Sequence, residues 1–96
     1  MHVVVRNYQG QGHSELFEAM EQRVDDVKDV ISGVPGFVSY AAFSHDDDVV
    51  VTVTICEDKA GTDESSKRAA AWIKENVSDA SVDPPEITDG DTFIQF

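Results

Sequence analysis

Apolar residues recur along this chain with two different periods, and the changes of period mark out its elements. Residues 2–8 (HVVVRNY) carry three consecutive β-branched valines and predict a first strand. Gly10 and Gly12 loosen the connector that follows. From Ser14 to Ser32, Leu16, Phe17, Met20, Val24, Val27 and Ile31 recur at spacings of three and four, which predicts an amphipathic helix. Ser14 is its expected N-cap, and Gly33 its expected left-handed stop before Pro35. Residues 37–44 (FVSYAAFS) and 49–57 (VVVTVTICE) then read as two strands joined by His45-Asp46-Asp47-Asp48, an antiparallel hairpin. A second helix is predicted from an N-cap at Thr62, with Ala69, Ala70, Ile73 and Val77 as a narrow stripe and Trp72 at its margin. Pro84-Pro85 lies in a loop, and a last strand is centred on TFIQF at 92–96, with an Asp89-Gly90 turn before it.

The order strand, helix, strand, strand, helix, strand within one domain, 1–96, defines an α+β class. Right-handed crossovers place both helices on one face of a four-stranded antiparallel sheet, the ferredoxin-like βαββαβ arrangement. The third strand is uncharged on both faces. Assigning Val49, Val51, Val53 and Ile55 to the helices leaves Val50, Thr52, Thr54 and Cys56 facing outward. In the second strand, Phe37, Ala41 and Phe43 alternate with Val38, Tyr40 and Ala42. A sheet open to water on one side alternates apolar with clearly polar residues, so this outer face is expected to meet a second copy. Val38, Val50, Thr52, Thr54 and Cys56 are its candidate residues.

Charge narrows the partners. Nineteen acidic residues against 7 basic give a net charge of −12. Such a surface repels phosphate backbones and anionic lipids, so neither nucleic acid nor a membrane is an expected partner. The acids are dispersed, as in a solvated surface suited to a salty cytoplasm. No apolar run nears the roughly 20 residues that span a bilayer, and residues 1–6 have no secretory-signal pattern. With Cys56 the single cysteine, no internal disulfide forms, and a cytoplasmic location is expected.

No metal or phosphate-loop signature occurs, and His2, His13 and His45 are scattered. The polar residues placed to meet an enclosed pocket include Arg6, Asn7, Tyr8, Tyr40, Thr52, Thr54 and Gln95. Arg6 and Tyr8 share one face of the first strand and Asn7 takes the other, so the three do not line one cavity. An edge or snorkelling position is the bland reading of Arg6, and packing that of Trp72. A buried Arg6 would instead require a carboxylate or ligand partner.

Val34-Pro35-Gly36-Phe37 after the first helix, the hairpin strand Val49–Cys56 and a second helix bearing Trp72 resemble the antibiotic biosynthesis monooxygenase-like family of dimeric α+β barrels. The resemblance spans nearly the whole chain, in architecture more than in motif. It implies a homodimer whose sheets pair into a barrel, with a pocket between sheet and helices. It implies too a cofactor-independent monooxygenase acting on a small aromatic molecule, with Asn7, Tyr40 and Trp72 as ligand-binding candidates, to which the reading of the first strand adds Arg6. The alternative is a non-catalytic small-molecule-binding or stress-associated dimer. Haem-degrading members use an asparagine on the first strand, a helical tryptophan and a histidine beyond it. Asn7 and Trp72 match the first two, but no histidine follows Trp72, so haem is not expected, nor any other cofactor.

Overall fold

A computed structural model describes residues 1–46 and 49–96. The valine-rich start forms β1 (His2–Gln9), a central strand with alternating buried and half-buried positions. Two helices follow, α1 (His13–Gln22) and α2 (Val24–Ser32), where the apolar stripe predicts one. The break falls at Arg23, whose backbone (φ −126°, ψ 41°) leaves the helical region. Its N–H still bonds the carbonyls of Ala19 and Met20, and its side chain reaches Asn76 Oδ1 at 2.7 Å. The kink lets both short helices lay their apolar sides on a curved sheet. α1 starts at Gly12 rather than Ser14. Gly33 remains right-handed, and the left-handed residue of the following turn is Gly36 (φ +67°).

Strands β2 (Phe37–His45) and β3 (Val49–Cys56) form the expected antiparallel hairpin. Asp46 takes a left-handed conformation (φ 51°), while the rest of the polar connector, Asp47 and Asp48, lies outside the described residues. Helix α3 (Lys59–Asn76) is capped by Asp58, whose carboxylate accepts from the Gly61 N–H. Thr62, the predicted cap, sits one turn inside the helix and is buried. Strand β4 is Glu86–Asp91, earlier than predicted, and Asp89-Gly90 is part of it rather than a turn. The segment 92–96 is not a strand. The sheet order β2-β3-β1-β4, with every pair antiparallel, is the ferredoxin-like topology.

The register corrects the assignment of faces. Opposed residues share a face, and β1 pairs Tyr8 with Val50, Arg6 with Thr52, Val4 with Thr54 and His2 with Cys56. All eight are buried beneath the helices. Val50, Thr52, Thr54 and Cys56 therefore belong to the helix-covered side, not to a subunit face. Val3, Val5, Val51, Val53 and Ile55 are on the open side. Choosing the greasier set for the interior failed because the interior here contains an arginine, and the hydroxyls of Thr52 and Thr54 serve it. An irregularity between Phe37 and Ser39 inserts Val38 into β2. Tyr40 and Ala42 consequently lie on the helix side and Ala41 and Phe43 on the open side. Val38 is partly exposed at the bulge.

The core between α1, α3 and the sheet gathers Tyr8, Leu16, Val50, Trp72 and Val77. Complete burial of a side chain such as Leu16 contributes roughly 2–3 kcal/mol. β4 is secured differently. The shielded ring of His2 meets Asp91 through Nδ1 and Asp89 through Nε2, each at 2.8 Å. Both nitrogens donate to carboxylates only in the imidazolium form. The bonds to Asp91 and Asp89 raise the His2 pKa above 6.5 and, with Lys59 on Asp89, hold both aspartates below 3.8. The raised histidine stabilises the folded state fully below pH 6.5 and loses that contribution as pH rises through its folded value. The lowered aspartates contribute above pH 3.8 and lose it as pH falls through theirs. β1–β4 pairing is thus expected to be tightest between those limits. Amide exchange in β4, corrected for intrinsic rate, should accelerate as pH rises through the raised His2 value. His2→Gln should abolish that dependence, and an unchanged profile would remove His2 as its cause.

Candidate functional site

Arg6 is 1% exposed, deep under α3. β1 aims it at the helices, and two neighbouring elements supply its partners. Nε donates to Thr52 Oγ1 at 3.1 Å and Nη2 to Thr54 Oγ1 at 2.7 Å, both on β3. Nη1 donates to Ser65 Oγ at 3.1 Å and Ser66 Oγ at 3.0 Å, both on α3. Ser65 in turn donates to the Thr62 carbonyl at 2.7 Å, which fixes its lone pairs toward the guanidinium. Among the described residues no carboxylate pairs with Arg6. Each of its three nitrogens has a hydrogen-bond partner, but its charge is not neutralised by any of them. Desolvating such a charge is costly, and hydroxyl dipoles offset only part of the cost.

Beside Arg6 stand two tyrosines. Burial raises the Tyr8 pKa, with the Arg6 charge opposing the rise. Burial likewise pushes Tyr40 up to about 12, against the pull of Arg6 and a hydrogen bond with Thr52. Both phenols stay protonated at neutral pH and are donors. They border a cavity of about 20 Å³, room for one water, whose walls include Leu16, Thr52 and Trp72. Trp72 is oriented by its Nε1–H, which donates to Asp26 Oδ2 on α2 at 2.7 Å.

Outside that cavity lies a groove of about 670 Å³ between α1–α2 and β2. Phe17, Val24, Phe37 and Phe43 line it, with Glu21, Lys28 and Ser32 among its polar residues. Met20, Val27, Ile31 and Tyr40 border both spaces. They form a wall one side chain thick, with the flexible Met20 in it. The groove suits a ligand of drug-like size.

Of the residues singled out in the sequence, Arg6, Tyr40 and Trp72 converge on this region. Asn7 does not: it points to the open side of the sheet, where its Oδ1 is buried and has no hydrogen-bond partner among the described residues. Arg6 is not at an edge, since β1 has neighbours on both sides. Cys56 is fully buried, and burial raises its thiol pKa, as does Asp58. Sequence reasoning missed Ser65, Ser66 and Asp26. The signal was two adjacent serines at the positions of α3 that continue the Ala69–Trp72 stripe. Among the described residues no cluster of three or more His, Cys, Asp or Glu is placed to hold a metal ion. Among the described residues no helix is long and apolar enough to cross a membrane.

Fold and site together define a ferredoxin-like α+β domain with an apolar groove ending near a shielded cation. No protein-family model matches the chain, and no curated protein does. Solved structures match along nearly its whole length. A monooxygenase from the gene ActVA-Orf6 of Streptomyces coelicolor, in complex with nanaomycin D, is 20% identical with a TM-score of 0.70, over 99% of this chain and 89% of that one. SnoaB, a cofactor-independent oxygenase from Streptomyces nogalater, is 15% identical with a TM-score of 0.64, over 98% and 94%. A protein of unknown function from Nitrosomonas europaea is 15% identical with a TM-score of 0.69, over 99% and 90%. At these identities the likeness establishes a common fold, the one implied by the family resemblance of the sequence.

Proposed function

We propose that this protein is a homodimeric, cofactor-independent monooxygenase of a small electron-rich aromatic molecule bound in the groove between α1–α2 and β2. The observation that carries the reading is the Arg6 charge, buried without a counter-anion among the described residues. The field of that charge already opposes the desolvation of Tyr40 in the groove wall. Burial raises the pKa of a bound phenol as it raises those of Tyr8 and Tyr40, and Arg6 offsets part of that rise, so the anion is favoured relative to the same pocket without the cation. Tyr40, protonated and bordering both spaces, is placed to donate to the resulting oxyanion. The ionised ring is electron-rich enough to reduce O2 itself. One oxygen atom becomes a new ring carbonyl, and the other leaves as water with the two hydrogens lost from the ring C–H and the phenol. Apolar walls keep bulk water from the intermediate. The fold shared with SnoaB and the ActVA-Orf6 monooxygenase supports this reading.

Oxygen consumption with a panel of phenols and hydroquinones tests it. Uptake above the buffer rate is expected, and its absence across the panel would remove the oxygenase. A second reading has its own observation: among the described residues lining the small cavity beside Tyr40 there is no carboxylate or histidine to act as a base, and the one carboxylate of the groove, Glu21, lies on its helix wall. A non-catalytic dimer that holds such a molecule needs none. Ligand binding without oxygen uptake would select it.

The homodimer is part of the same proposal. Val3, Val5, Val51, Val53 and Ile55 leave the open sheet side apolar, and the buried Asn7 oxygen lacks a donor that a second subunit would provide. Light scattering should give about twice 10.5 kDa. Val53→Asp should give a folded monomer, because two such charges would be buried at the centre of the contact. The buried thiol of Cys56 fits a reducing, cytoplasmic setting.

A further inference from the structure

The cavity of about 20 Å³ behind the groove is a departure from close packing, since protein interiors leave few voids of molecular size. Its place is as informative as its volume. Tyr8, Thr52 and Tyr40 floor it from three adjoining strands, and Leu16, Ile73 and Trp72 cover it from the helices. Only the wall of Met20, Val27, Ile31 and Tyr40 stands between it and the groove of about 670 Å³.

The walls decide what the cavity can hold. Thr52 Oγ1 accepts from Arg6 Nε at 3.1 Å and is hydrogen-bonded to Tyr40. The Tyr8 hydroxyl is tied to Arg6, and the Trp72 N–H to Asp26. With these groups turned to one another, nearly all the surface that the described residues present to the cavity is carbon. A buried water needs about two to four polar partners, whereas an apolar cavity stays dry and takes an apolar guest. The volume then sets the size of the guest. One water-sized sphere needs about 10–15 Å³, so about 20 Å³ admits a diatomic molecule and excludes a ring.

A small apolar gas is the class of guest that remains, and dioxygen is the one that the proposed chemistry consumes. We propose that this cavity is a dioxygen site, in which the gas is held unreduced against the inner wall of the groove. Dispersion contacts on all sides hold it weakly, and its advantage is position. Gas and bound ring are separated by one layer of side chains, and the unbranched Met20 can swing from between them. Water, which these walls disfavour, does not compete for the place. The use made of the gas rests on the proposed function, and its binding does not.

The test exposes the whole protein, carbon-13-labelled at its methyl groups, to pressurised dioxygen and to nitrogen at the same pressure. Dioxygen is paramagnetic and speeds the relaxation of nearby protons. The enhancement at Leu16, Val30 and Ile73 should exceed that at the exposed Ile87 and Ile94 by about threefold or more, because a resident gas outlasts a random collision. An enhancement that simply follows exposure would overturn the site. So would a water in nuclear Overhauser contact with the same methyls that the gas does not displace. Val30→Ile adds one carbon to a residue that lines the cavity and not the groove. It should erase the enhancement at Leu16 and Ile73 and raise the KM for dioxygen about tenfold, with the KM for the phenol unchanged. An unchanged KM for dioxygen, once the enhancement is lost, would overturn the part of the site in the reaction. Gas in the cavity of a protein that consumes no oxygen would sink the oxygenase and leave the site standing. Uptake without gas in the cavity would do the reverse.

Discussion

Arg6→Met is expected to lower oxygen uptake by about 100-fold or more while changing folding stability by no more than about 2 kcal/mol. The two effects separate because the charge is costly to the fold and useful to the chemistry. Methionine removes a desolvated cation and fills much of the same volume. Thr52, Thr54, Ser65 and Ser66 lose a donor, but each hydroxyl can turn its own proton toward another acceptor. A bound phenol, by contrast, loses the field that favours its anion. Arg6→Lys keeps the charge but cannot reach four hydroxyls from one nitrogen, so it should fall between. The checks are initial rates by oxygen electrode and denaturant melts on the same samples. Full uptake by Arg6→Met would show that the buried charge has no part in the chemistry. If the protein only binds its ligand, the loss should appear in affinity for a phenol and not for its methyl ether.

Gly61→Ala should be among the most destabilising single changes in the molecule, by about 3 kcal/mol. In an exposed helix the same substitution stabilises by up to about 1 kcal/mol. Here the first turn of α3 presses on the lead-in to β2. An added Cβ would lie far inside contact distance of the Pro35 carbonyl oxygen and 2.8 Å from Cys56 Cβ. Neither neighbour can move freely, since one is backbone and the other belongs to a fully buried side chain on β3. α3 must shift, and Ser65 and Ser66 shift with it, away from Arg6. For a chain of this size, about 3 kcal/mol lowers the melting temperature by roughly 12–24 °C. A melting temperature within a few degrees of the parent would contradict the packing described.

These two positions also show what the sequence did and did not disclose. The order of elements was legible, because periods of two and of three to four alternate along the chain. The hairpin and the helix stripe followed from them. The orientation of β3 was not legible, since Val49, Val51 and Val53 alternate with Val50, Thr52 and Thr54 and neither set carries charge. Hydrophobicity alone put the valines inside. What decides the matter is Arg6 on the neighbouring strand, and that pairing is a long-range fact. The break at Arg23 lacked the glycine or proline that usually announces one. The segment 92–96 has strand propensity without strand structure, because a strand also needs a neighbour to pair with. The convergence of Arg6, Tyr40 and Trp72 comes from three separate elements, and their spacing in the chain says nothing of it. Trp72 and Asp26 face each other for the same reason.

The ring of hydroxyls around Arg6 has one more consequence. The outside of this protein is strongly negative, with a net charge of −12, while its interior holds a cation that no carboxylate among the described residues neutralises. A phenol that arrives already ionised meets repulsion at the surface, and one that arrives neutral does not. For a phenol bound as proposed, the two signs would act in series: the surface would turn away the anion, and Arg6 would oppose the desolvation of the anion once it formed inside.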